Sequence, residues 1–148
     1  MAEVLFYHLE TQPLERVLPA LLEKTLERGW RAVVETSSRQ RAEALDALLW
    51  TFRDDSFLPH GIAGTHTDTE QPVLIVMGGE NPNTANVRFF VDRAVPQSGV
   101  GYQRIVYMFS GHDPDAVSEA REAWKALREG NELTYWQQDE SGRWVKRG

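Results

Sequence analysis

Short apolar runs alternate with helical apolar stripes through the first half of this chain, and that alternation restricts the fold more than any other feature. Val4-Leu5-Phe6-Tyr7 reads as a buried strand. Leu14, Val17, Leu18, Leu21, Leu22 and Leu26 then recur at helical spacing, and Gly29 stands at the C′ position that closes a helix. Pro19 falls inside that stripe, so the helix either starts late or kinks there. Arg31 to Glu35 supplies a second strand. Ser37 or Ser38 can cap the next helix, which turns Ala42, Leu45, Leu48 and Leu49 inward. Val73 to Met77 is the clearest buried strand. Strand–helix–strand–helix–strand requires right-handed crossovers and a parallel sheet with helices on its faces.

The second half continues in kind. Gly61 to Gln71 is a small, polar loop, and Asn81-Pro82-Asn83 marks a turn. Val87 to Val91 and Arg104 to Phe109 give a fourth and a fifth strand. Asp113 and Pro114 open a helix as cap and first residue, and it runs to Glu129 before Gly130. Leu133 to Val145 alternates weakly around Asp139-Glu140-Ser141-Gly142, the pattern of a short hairpin. With 148 residues, 41% of them hydrophobic, the expectation is one domain spanning 1–148. It should be a three-layer α/β fold with an open, mostly parallel sheet of about five strands.

Composition removes several classes of function. No apolar run approaches the roughly 20 residues of a membrane span, and the start has no basic segment before an apolar one. No cysteine is present, which excludes disulfides and Cys-ligated metal. The cytoplasm is the simplest address. The net charge of −6 argues against gripping nucleic acid as the main activity, since that work usually needs a basic face.

An open α/β sheet invites a nucleotide beyond the strand carboxyl ends. The turn after the first strand, His8-Leu9-Glu10-Thr11-Gln12, has no glycine to let a phosphate approach, and no Gly-x-x-x-x-Gly-Lys-Ser/Thr occurs. Gly78-Gly79 reads as a tight turn, though a nucleotide-dependent enzyme would use it as a cradle. The histidines are His8, His60, His66 and His112, and none has a partner at metal-ligand spacing, His66-Thr67-Asp68 included. Ser110-Gly111-His112-Asp113 lacks the elbow of a hydrolase nucleophile. The reading is of no catalytic set, no metal and no cofactor.

Two segments point instead to partners. The helix after Ser38 gives way to a loop with Trp50, Phe52, Phe57, Leu58 and Pro59 close together. Loops run over the surface, and aromatic anchors are what interfaces use most. On the last long helix, Arg121, Lys125 and Arg128 stand at i, i+4 and i+7 beside Trp124. Arg121 has no acid at the helical offsets that would neutralise it, and Lys125 can pair with Glu122 or Glu129. That ridge suits an acidic partner. Stacking of single-stranded DNA on Trp50, Phe57 and Trp124 is a further alternative.

Leu45-Asp46-x-x-Leu-Trp50-Thr51-Phe52 followed by Ser56-Phe57-Leu58-Pro59-His60-Gly61 resembles the chi subunit of bacterial DNA polymerase III holoenzyme. Gly29 to Val34, Ala120-Arg121-x-x-Trp124-Lys125 and Tyr135-Trp136-Gln137-Gln138 extend the resemblance over nearly the whole chain. It implies a nucleotide-binding-like topology without a nucleotide site, in a non-catalytic accessory subunit of the polymerase. Such subunits link the clamp-loader assembly to single-stranded DNA-binding protein, and so to DNA indirectly. They do so by holding that protein's acidic C-terminal tail, which ends in phenylalanine. Carried over, Arg121, Trp124 and Lys125 would hold the tail, with Arg128 of the same basic ridge beside them, and Phe109 would wall its pocket. Trp124 stands where the best-known members carry tyrosine. Trp50, Phe57, Pro59 and His60 match the surface that meets the small psi subunit or a repair helicase.

Overall fold

A computed structural model describes residues 3–51, 59–65, 67–78, 81–94 and 102–147. The strands are β1 (Glu3–Leu9), β2 (Ala32–Glu35), β3 (Gly61–Ile62), β4 (Val73–Val76), β5 (Val87–Phe90), β6 (Arg104–Ser110), β7 (Glu132–Gln138) and β8 (Trp144–Lys146). The helices are α1 (Leu14–Glu27), α2 (Arg39–Thr51) and α3 (Pro114–Leu127). The eight strands of the described residues share one sheet in the order β3-β4-β2-β5-β6-β1-β7-β8. Every neighbouring pair is parallel except β7 with β8.

The α/β class and the mostly parallel sheet follow the sequence reading, but the count of about five strands is corrected to eight among the described residues. β3 is only two residues long, inside the segment read as a polar loop, and too short to show any alternation. The hairpin read in the tail exists as β7 and β8. What the pattern did not reveal is that β7 lies parallel to β1, from Glu3 opposite Glu132 to His8 opposite Gln137, and so extends the sheet.

Alternation along each strand divides the core between two faces. Val34, Ile75, Phe89 and Val106 meet Leu18 and Leu22 of α1 and Leu45 and Leu49 of α2. On the other face Val4, Phe6, Ile105 and Tyr107 meet Ala116, Ala120, Ala123 and Leu127 of α3. The alanines bring α3 close to the strands. Between β2 and β5, Glu35 accepts from Arg88, both buried, and Arg88 also donates to the Tyr102 hydroxyl at 2.8 Å.

Helix ends follow local chemistry. α1 runs through the buried Pro19 rather than starting after it. At its end Gly29 has φ +79°, its N–H meets the Leu26 carbonyl, and the Trp30 N–H reaches the Thr25 carbonyl. Ser38, not Ser37, caps α2 by accepting from the Arg41 N–H at 3.2 Å. Asp113 caps α3 from the Asp115 and Ala116 N–H groups. α3 ends at Leu127, short of Glu129, and Asn131 caps the Leu127 carbonyl at 3.0 Å. Among the described residues no helix is long and apolar enough to cross a membrane.

Candidate functional site

The buried face of α3 is set by its alanines, and this fixes where its other residues stand. Trp124 is half-buried at the helix flank, its ring edge-on to Phe6 at 5.1 Å and to Tyr135 at 6.0 Å. Phe109, buried near the end of β6, packs 5.0 Å from the His8 ring and 6.2 Å from Tyr135. Arg121, Lys125 and Arg128 are exposed beside them. Together these side chains line a groove of about 670 Å³. Phe109, Arg121, Trp124, Lys125 and Arg128, five residues singled out in the sequence, are thus brought to one place by α3 and β6.

The cations there are not equivalent. Lys125 lies 3.6 Å from Glu122, with both side chains well exposed, a pairing that contributes little. Arg121 and Arg128 have no side-chain hydrogen bond or ion pair among the described residues. Burial raises the pKa of the Tyr135 hydroxyl, Glu10 adds to the rise and Arg121 opposes it, so the Arg121 charge is felt in the groove.

Sequence reasoning missed His8 and Tyr135, which close the groove at the sheet. His8 Nδ1 lies 2.5 Å from the Tyr135 hydroxyl, and its Nε2 lies 2.7 Å from Glu10 Oε1, off the line of a hydrogen bond. A Cβ at position 111 would collide with that ring, so Gly111 makes room for His8. Alternation puts His8 and Tyr135 on the α3 side of their strands. Only the parallel pairing of β1 with β7 makes them neighbours.

The second predicted set divides. Trp50 belongs to the last turn of α2, not to the loop, and is 52% exposed. Pro59 is half-buried beyond it, and Phe57 lies outside the described residues. His60, expected on the surface, is corrected to a buried position. Its ring packs 4.6 Å from Trp50, and its Nε2 sits 3.1 Å from Asp46 Oδ1 and 3.2 Å from the Asp46 carbonyl. His60 therefore supports Trp50 from behind. α2, which carries Trp50, and α3 lie on opposite faces of the sheet.

Beyond the strand carboxyl ends lies a crevice of about 590 Å³. Its backbone differs from the expectation that the glycine-free turn offers no cradle. The N–H groups of Glu10, Thr11 and Gln12 converge on one point, and Gln138 Oε1 accepts all three at 2.9, 3.0 and 3.1 Å. Three successive amides in such a nest are the arrangement that elsewhere receives an anion. Here a buried side chain from β7 fills it. At the crevice lip Arg41 pairs with Asp92, and Arg93 with Glu119, so those guanidinium groups are already engaged. The carbonyl of Gly78 accepts from Arg88, while Gly79 lies outside the described residues. Among the described residues no three His, Asp or Glu side chains are placed to hold a metal. His66 lies outside them, and the Asp68 carboxylate accepts from the Gly64 and Thr65 N–H groups, which lower its pKa.

Over 95% of its length the chain superposes on the C-terminal domain of the DEAD-box protein Dbp5, covering 92% of that chain, with a TM-score of 0.56. At 14% identity this is a likeness of fold alone. By sequence the chain is 26% identical over 132 residues to DNA polymerase III subunit chi of Pseudomonas aeruginosa, which covers 87% of this chain and 91% of that protein. It is 29% identical over 87 residues to the probable DNA polymerase III subunit chi of Rickettsia prowazekii (strain Madrid E). That match spans 59% of this chain and only about half, 53%, of the Rickettsia protein. Residues 1–134 match the family described as DNA polymerase III chi subunit, HolC. The chain is a member of the DNA polymerase III chi subunit family.

Proposed function

We propose that this chain is a non-catalytic linker that joins the clamp-loader assembly of the replicative polymerase to single-stranded DNA-binding protein. It would hold that protein's acidic C-terminal tail in the groove of α3. The observation that carries the reading is Arg121, a guanidinium with no partner among the described residues, at an aromatic groove that also holds Lys125 and Arg128. Guanidinium matches a carboxylate in bidentate geometry, which suits the terminal carboxylate of the tail. Lys125 and Arg128 meet the upstream acids. Phe109 and Trp124 wall the space for the terminal phenyl ring, with Tyr135 behind it.

Magnitudes support a reversible contact. An Arg–carboxylate hydrogen bond contributes about 1.5–3 kcal/mol. Burying a phenyl ring contributes about as much again. After the entropy of association is lost, two such anchors leave an affinity on the order of micromolar. Trp50, backed by His60, forms with Phe57 and Pro59 the second contact, with psi or a repair helicase. The protein then meets DNA through its partners, in the cytoplasm.

The test is titration of a labelled tail peptide into the wild-type protein and into Arg121→Glu. The variant removes an attraction and adds a repulsion, so affinity falls at least about tenfold, the equivalent of 1.4 kcal/mol. Raising salt weakens the wild-type contact without abolishing it, because the ring is held by burial. Equal affinities for the two proteins would refute the site. A peptide lacking its terminal phenylalanine and binding as well would refute the pocket.

A further inference from the structure

α1 packs over β2 and β6, and the sheet continues past it as β1, β7 and β8. On that uncovered stretch three aromatic residues stand together, half-buried: Tyr7 is paired with Trp136 in register, and Trp144 meets the Tyr7 ring edge-on at 4.7 Å. α1 forms the facing wall, with Arg16, Lys24 and Arg28 exposed along it. Between wall and floor runs a groove of about 220 Å³ that continues into a space of about 510 Å³, with Tyr7 and Lys24 lining both.

Its charge is opposite to that of the chain. Acids outnumber Lys and Arg by 22 to 16 overall. Yet among the described residues no carboxylate lines the smaller part, and Glu27 is the one acid lining the larger. Arg16, Lys24 and Arg28 form no ion pair among the described residues, and Arg28 lies over the Trp30 ring at 4.4 Å. Eight and then four residues apart, these cations are about 12 Å and 6 Å apart along the helix axis.

We propose that this groove takes a short segment of single-stranded nucleic acid, separately from the tail site on α3. An aromatic floor on β1, β7 and β8 beside a cationic wall on α1 suits a strand whose bases lie on one side and whose phosphates lie on the other. Stacking on aromatic rings with cations tracking the backbone is the common mode for unpaired strands. An acidic peptide fits less well, because an extended chain alternates its side chains between two directions. The overall negative charge keeps the contact weak and sensitive to salt.

The experiment uses the full chain carrying Arg121→Glu, so that the α3 groove cannot account for the result, and a labelled oligothymidylate of about 15 nucleotides. Anisotropy should rise and tryptophan fluorescence should fall saturably at low salt, with a Kd of about 1–100 μM. Three phosphate contacts give a slope near −2 in log affinity against log salt. Adding Arg16→Glu and Lys24→Glu, both exposed and away from the core, weakens binding at least tenfold and flattens the slope, with thermal unfolding unchanged. No saturable binding at low salt overturns the proposal, as does undiminished affinity in the charge-reversed variant. An acidic peptide that displaces the oligonucleotide at equal concentration also overturns it, assigning the groove to peptides.

Discussion

A tryptophan that leaves half its surface in solvent needs something rigid beneath it, and His60 supplies that for Trp50. The imidazole is buried, anchored on Asp46 and packed against the indole. The two therefore respond differently to truncation. Trp50→Ala removes mostly exposed surface, and its urea midpoint should correspond to a change within about 0.5 kcal/mol. His60→Ala opens a void and leaves Asp46 without its donor, and should cost about 1–3 kcal/mol. Chemical denaturation of both variants checks this, and equal losses would place Trp50 in the core. In the sequence the two residues read alike, as members of one aromatic stretch. Only burial separates the residue that presents from the residue that supports.

Elements are tied together at two places that no periodicity reveals. Gln138, at the end of β7, holds the turn between β1 and α1 through three backbone N–H groups. Gln138→Ala strands those donors at a partly buried site, where each lost partner costs on the order of 1 kcal/mol. Amide hydrogen exchange at Glu10, Thr11 and Gln12 should accelerate markedly in that variant while protection in β2 and β4 holds. Unchanged exchange in the turn would mean that Gln138 is not what orders it. Glu35 and Arg88 tie β2 to β5 on the face away from α1 and α2. In the sequence Glu35 simply ended a strand and Arg88 lay inside one. Their pairing depends on β5 returning to lie beside β2, a long-range event with no local signal.

Across the whole molecule, one buried and two half-buried tyrosines shape how stability responds to alkali. Tyr7, Tyr107 and Tyr135 all hold their protons more tightly in the fold, chiefly because burial disfavours the phenolate. Tyr107 is pushed up to about 12, Glu119 adding to the rise and Arg93 opposing it. A folded-state pKa above the unfolded value of about 10 means that the native state keeps its proton longer. The stabilisation is complete below about pH 10 and is lost as pH rises toward 12. The urea midpoint should stay level from about pH 7 to 9 and fall above 10, with a shallower fall in Tyr107→Phe. A midpoint that rose in that window would contradict the burial of these rings. By itself the sequence determined the α/β class, the helices and most of their caps, the basic ridge of α3 and the aromatic end of α2. Each of these is written in neighbours a few residues apart, through period, cap chemistry and charge spacing. The tertiary structure alone decided that β7 joins β1 and sets His8 beside Tyr135 at the groove. It also decided that Gln138 fills the amide nest, and that three aromatic residues on two distant parts of the chain face the cations of α1. Those arrangements depend on which strand lies next to which, and strand order is fixed by packing across the whole sheet rather than by any local run of residues.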